Sequence, residues 1–114
     1  MRGIVMNALT KDLKKCVKIA EKEAAGGRFL QKLHLMPPVG WLNDPNGLCQ
    51  FNGVYHAFFQ YSPFDACGGV KMWGHYTSSD MIFWKYEGVS LYPDQPFDCH
   101  GVYSGSALID DGKM

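Results

Sequence analysis

The chain has no long hydrophobic run. Its longest apolar stretch is about four residues, Tyr55 to Phe59 with His56 set aside, against the roughly 18 that a membrane-crossing helix needs. Surplus charge is also missing. Eleven Lys+Arg face eleven Asp+Glu, so there is no chain-wide basic field to hold nucleic acid and no acidic tail. The cysteines lack pairing: Cys16, Cys49, Cys67 and Cys99 stand singly, without CxxC or zinc-like spacing. They read as small buried hydrophobes in preference to metal ligands. The N-terminus is not expected to act as a secretory signal, because Lys11, Asp12, Lys14 and Lys15 interrupt any apolar core after Met1. Reduced thiols and a cytoplasmic location are therefore expected. The 114 residues allow one small domain at most, and with 46% apolar and 19% charged residues the composition is not that of a disordered chain.

The averages hide a division near His34. Residues 1–33 carry eight basic and three acidic side chains and one of the sixteen aromatics, Phe29; residues 34–114 carry three basic and eight acidic side chains and the remaining aromatics. Two segments are expected: a basic helical one over 1–33 and a β-rich one over 34–114. Leu9, Leu13, Cys16, Val17, Ala20 and Ala24 recur at three- and four-residue steps and predict a helix over 8–25. Thr10 or Asn7 could cap its start, and Gly26-Gly27 could end it in a left-handed turn. A basic helix can lie on a membrane, but this stripe has no aromatic anchor, so docking against the same protein is the preferred reading.

From Gly47 the apolar period becomes two. Gly47–Phe51 and Val54–Tyr61 read as strands joined by Asn52-Gly53, the strongest short hairpin signal. Gly74–Ser79 and Ile82–Glu87 read as a second pair, and Val102–Ile109 as a further strand before the Asp110-Asp111-Gly112 turn. That last strand has no following partner, which predicts an unpaired, association-prone edge and a longer protein.

The informative stretch runs from His34 to Gly47. Pro45 keeps Asp44 out of helical geometry, which fixes a carboxylate on a tight loop beside Asn43, with Trp41 close by. Such a string can also be a plain turn. An aromatic face, an amide and a carboxylate are also what a sugar site uses. Gln60, Trp73-Gly74-His75 and Tyr103-Ser104 add polar–aromatic pairs. Gln60 alone reads equally as an edge-strand polar residue, and Trp73 and Trp84 as core.

Five ordered blocks together resemble glycoside hydrolase family 32, the invertases, fructan hydrolases and bacterial sucrose-6-phosphate hydrolases. They are Gly40 to Gly47 continuing through Gly53-Val54-Tyr55-His56 and Phe59-Gln60-Tyr61; Trp73-Gly74-His75; Ser79 to Trp84; Leu91 to Asp94; and Tyr103 to Ala107. The resemblance covers 34–114. It implies an all-β fold, about one blade and part of the next of a five-bladed β-propeller, preceded by the N-terminal helix. It implies Asp44 as the nucleophile toward C2 of a fructofuranosyl unit and Asn43 and Gln60 as hydroxyl-binding residues. Trp41, Trp73, Tyr103 and Ser104 would also be at the pocket. The reaction it implies is retaining, with no metal and no cofactor. The partner is a small sugar (sucrose, sucrose 6-phosphate or a fructan) together with the remainder of the same protein, and neither nucleic acid nor a membrane.

The sequence departs from the family pattern at several positions. Gly68 stands where members often carry a tryptophan on the leaving-group side. Tyr103 replaces a phenylalanine, and Tyr76 and Phe83 replace alanine and histidine. The family's Glu-Cys motif, which holds its acid/base, and its Arg-Asp-Pro motif occur nowhere in the 114 residues; Glu21, Glu23 and Glu87 are the only glutamates. A truncated non-catalytic remnant, or a sugar-binding fragment, is therefore the alternative to an enzyme. A cytosolic interaction domain with accidental motifs is a third reading. No basic residue after 33 can be placed at the pocket from sequence alone.

Overall fold

The computed structural model describes residues 8–31 and 33–114. Helix α1 (Ala8–Ala24) precedes strands β1 (Trp41–Phe51), β2 (Val54–Ser62), β3 (Met72–Ser78) and β4 (Lys85–Leu91). The strands form one antiparallel meander in chain order. A single four-stranded sheet is the size of one propeller blade, so the all-β fragment with a leading helix is what forms. The Asn52-Gly53 turn has φ of 49° and 78° and closes the Phe51–Val54 pair, as a type I′ hairpin requires.

The period of two along β2 divides the sheet into two faces. Ala57, Phe59 and Tyr61 join Val17, Met72 and Tyr76 in the core on the α1 side. His56, Phe58 and Gln60 project the other way. Glycine at 74 is a packing requirement, because a Cβ there would lie 2.2 Å from the Phe59 ring.

Helix α1 does dock on the sheet, but with a rotated stripe. Thr10 and Val17 are buried and Leu13 half-buried, whereas Leu9 and Cys16 face out. Polar contacts set the rotation. Glu21 accepts hydrogen bonds from Tyr61 (3.2 Å) and Tyr86 (2.8 Å), and Thr10 donates to Asp94. Thr10 lies inside the helix, so it is no cap; Asn7 lies outside the described residues. Neither Gly26 nor Gly27 is left-handed. The last turn tightens instead, with Gly27 N–H on Ala24 O at 2.9 Å.

Three further expectations are corrected. The cysteines are not buried: Cys16, Cys67 and Cys99 are exposed and Cys49 half-buried, because the helix turns Cys16 outward and loops carry Cys67 and Cys99. The fourth strand starts at Lys85, not Ile82. The Asp80 carboxylate captures the N–H groups of Ile82 and Phe83, and Ser78 Oγ captures those of Asp80 and Met81, locking a turn. Residues 102–109 form no strand. They make scattered bonds to different elements, with Val102 N–H on Lys71 O and Gly105 N–H on Asn46 Oδ1, instead of the continuous ladder a strand needs.

Candidate active site

Asp44 sits on a bulge, not on a loop. Asn43 pairs with Gln60 and Pro45 with Phe59, which are adjacent on β2, so Asp44 has no opposite residue. Its φ is +32°, in the region side chains avoid. A bulge removes a residue from the ladder and re-aims its side chain. Proline fits here because β1 is an edge strand and the bulge needs no N–H at that point. A second shift follows between Asn46 and Cys49. Gly47 there has φ +51°, and a Cβ would lie 2.8 Å from the Phe58 ring and 3.2 Å from Ala107 Cβ. Glycine thus lets residues 104–107 run beside β1, and Gly105 N–H reaches Asn46 Oδ1 at 3.2 Å.

Gln60 ties these pieces together. It is 2% exposed on the central strand β2, which removes the edge-strand reading. Its Nε2 donates to Val102 O (2.9 Å) and contacts Ser104 Oγ (3.4 Å), and Ser104 Oγ donates to Asp44 Oδ2 (3.0 Å). Its Oε1 is buried and has no hydrogen-bond partner among the described residues. An unpaired buried acceptor is costly unless something else fills it.

Asn43, Asp44 and Gln60 line a cavity of about 300 Å³ together with Trp41, Lys71 and residues 100–104. That volume is at the lower end of small-molecule sites, which run from about 300 to 1,000 Å³. The structure therefore brings together Trp41, Asn43, Asp44, Gln60, Tyr103 and Ser104. Trp73 is not among the lining residues: it is 8% exposed and its indole Nε1 donates to Tyr103 O at 3.0 Å. Trp73 supports the residue that faces the cavity and does not line it.

Sequence reasoning did not find Lys71 and His100 as cavity residues. Lys71 Nζ lies 5.3 Å above the Trp41 ring and donates to Gly69 O at 3.2 Å. A signal was present, since Lys71 precedes Trp73 by two and so shares its face; His100 carried none. Gly68 (φ +90°) runs against the Trp41 indole, where a Cβ would sit 3.4 Å from the ring.

Farther along the same face, His56 and His75 stack at 5.1 Å, with Nδ1 and Nε2 2.9 Å apart. Burial, and then the neighbouring His56, hold the His75 imidazole below its ordinary pKa. Asp44 is the only carboxylate lining the cavity among the described residues. Glu21 is held by tyrosines on the opposite face, and Glu87 by Thr77 and Lys85.

A sequence profile of the glycosyl hydrolases family 32 N-terminal domain matches residues 34–114. The chain belongs to glycosyl hydrolase family 32. It is similar to the raffinose invertase of Escherichia coli, 53% identical over 89 residues that make up 78% of this chain and 19% of the relative. It is similar also to the sucrose-6-phosphate hydrolase of Bacillus subtilis (strain 168), 51% identical over 74% of this chain and 18% of the relative. Its fold superimposes on the sucrose-6-phosphate hydrolase of Lactobacillus gasseri with a TM-score of 0.77 and 40% identity, covering 86% of this chain and 20% of that one. The chain thus spans about a fifth of the length of these family 32 relatives. No helix among the described residues is long and apolar enough to cross a membrane.

Proposed function

We propose that the chain supplies the fructosyl-binding, nucleophile-bearing part of a β-fructofuranosidase, with residues 34–114 as the start of its propeller domain and 1–33 as a docked helical segment, acting in the cytoplasm. The observation that carries this reading is the bulge-aimed Asp44 beside Asn43 and the unpaired Gln60 Oε1 in one cavity. In this reading Gln60 Oε1 accepts a sugar hydroxyl and Asn43 bonds another. Trp41 packs on C–H groups, as aromatic walls do in sugar pockets. Ser104 donates to Asp44 Oδ2 and orients the carboxylate. An Asp44 oxygen attacks C2 of the fructofuranosyl unit, the C2–O bond to the leaving group breaks, and a covalent fructosyl ester forms. Water then cleaves that ester with retention.

The departing oxygen needs a proton from a second carboxyl roughly 5–5.5 Å from the nucleophile. Asp44 has no carboxylate companion among the described cavity residues. The 114 residues are therefore proposed to bind the sugar but not to hydrolyse it; the acid/base belongs to sequence outside them. Sucrose, sucrose 6-phosphate and fructans are the substrate candidates.

The test is a tryptophan-fluorescence titration of the chain with sucrose, next to an assay for released fructose. The expected result is saturable binding, lost in Asn43→Ala and Gln60→Ala, with no turnover. Absence of binding would refute the sugar site. Turnover that Asp44→Ala abolishes would refute the missing acid.

A further inference from the structure

A second cavity, of about 810 Å³, is lined by residues of α1, the end of β4 and the 94–103 segment. Its size is within the range of small-molecule sites, about 300 to 1,000 Å³. Asn43, Asp44 and Gln60 are not among its lining residues, whereas Gly101, Val102 and Tyr103 are common to both cavities.

Its chemistry differs from that of the first. Three aromatic side chains line it, Tyr92, Phe97 and Tyr103, together with the carboxylate of Asp98 and the ammonium of Lys14. Phe97 and Tyr103 are 87% and 85% exposed. Rings left so open add little to the core, because the hydrophobic gain scales with the area removed from water. Their faces stay available, and an aromatic face is electron-rich and attracts a cation. The chain already uses this attraction once. Thr10 donates to Asp94, Lys14 follows one turn later on the same side of α1, and Lys14 Nζ lies 5.8 Å from the centroid of the Tyr92 ring. Asp98 adds a counter-charge. Its Oδ1 accepts the Gln95 N–H at 2.8 Å, a neutral donor that fixes the carboxylate without cancelling its charge, and Asp98 has no ion pair among the described residues.

We propose that this second cavity binds a small alkylammonium ligand, with its carbon chain against Phe97 and Tyr103 and its ammonium on Asp98. The site is separate from the fructosyl-binding residues and does not depend on the β-fructofuranosidase reading. Lys14 is its built-in competitor. One exposed cation–π contact changes an equilibrium constant only about two- to fivefold, so an incoming ammonium can displace it. A neutral ligand of the same shape forgoes the charge-assisted bond to Asp98, which is the stronger kind of hydrogen bond.

The experiment is an NMR titration of the chain with pentylamine, which reproduces a lysine side chain, and with 1-pentanol, its neutral counterpart. Pentylamine is expected to bind about tenfold tighter than 1-pentanol, since hydrogen bonds to charged groups are about twice as strong as neutral ones, and the advantage should shrink as salt rises. Lys14→Met removes the competing cation and should tighten pentylamine about fivefold. Phe97→Leu keeps the apolar bulk without the ring and should weaken it about two- to fivefold. Asp98→Asn keeps the acceptor for Gln95 N–H while removing the charge, and should bring the two ligands near equal affinity. Thermal melts of the three variants within a few degrees of the parent confirm that the fold is intact; a variant that melts lower is replaced by Asp98→Ser or Phe97→Met at the same positions. Equal binding of the two ligands by the parent chain, or a Lys14→Met chain that binds pentylamine no tighter, overturns the proposal. A pentylamine affinity that excess sucrose lowers would put the amine in the Asp44 cavity and overturns it as well.

Discussion

Replacing Gly74 with alanine tests the packing that holds the site. The added Cβ would lie 2.2, 2.6 and 2.7 Å from three carbons of the Phe59 ring, where unstrained carbon contacts are about 3.5–4.0 Å. The ring would have to retreat by roughly 1 Å or more, and it has nowhere to go. Phe59 is 3% exposed and bracketed by Tyr61 and Tyr76 at centroid distances of 5.6 and 5.4 Å. Overpacking of this kind costs about 1–3 kcal/mol. Gly74 does not have a positive φ, so alanine also removes unfolded-state freedom and returns about 0.4–1 kcal/mol. The clash wins, for a net loss of about 1.3 kcal/mol, which for a domain near this size lowers Tm by roughly 5–10 °C. The control is Gly26→Ala, where nothing lies within 4 Å and φ is not positive; it should be neutral or slightly stabilising. Thermal and urea unfolding followed by circular dichroism read both variants. If Gly74→Ala melts within 3 °C of Gly26→Ala (about 0.5 kcal/mol), the packing argument is wrong. If the clash is the cause, Phe59→Leu added to Gly74→Ala should recover part of the loss through a favourable coupling.

Two further outcomes follow from titrating groups. Burial, and then the charge of Glu21, push Tyr76 and Tyr92 up to about 12 and Tyr61 higher, and burial, then Tyr61 and Glu21, push Tyr86 higher. The folded state holds these phenols neutral, so their contribution is complete below pH 10 and is lost as pH climbs from 10 through 12. Urea midpoints should therefore fall between about pH 10 and pH 12, less steeply in Glu21→Gln; a flat profile would refute this. The depressed His75 works at the other end: the unfolded state takes up its proton first, so stability is full above 6.5 and declines as pH drops below it. His75→Gln should flatten that decline, and an unchanged acid limb would contradict it.

Short-range sterics were legible in the sequence. Asn52-Gly53 can make its turn with little help from the rest of the chain, and the period of two over 54–61 assigns Phe59 and Gln60 to opposite faces wherever the sheet sits. The Asn-Asp-Pro string pointed to a constrained carboxylate for the same reason, because proline restricts the residue before it. Elements decided by side chains that capture backbone N–H groups, or by distant partners, were not legible. Whether Ile82 begins a strand was decided by Ser78 and Asp80 capturing its turn, and whether 102–109 is a strand depended on having a ladder to join.

The sequence by itself determined the family, the alternation of the sheet and the identity of the acid at position 44, because these rest on residue type and spacing of a few positions. Only the tertiary structure decided that Asp44 stands out on a bulge, that Gln60 keeps an acceptor free inside the cavity, that Trp73 bonds Tyr103 without lining the cavity and that Lys71 lines it. Each of those facts requires segments some 14–60 residues apart to meet, from Pro45 opposite Phe59 to Ser104 on Asp44. The energy that brings them together is burial against partners which no local pattern names.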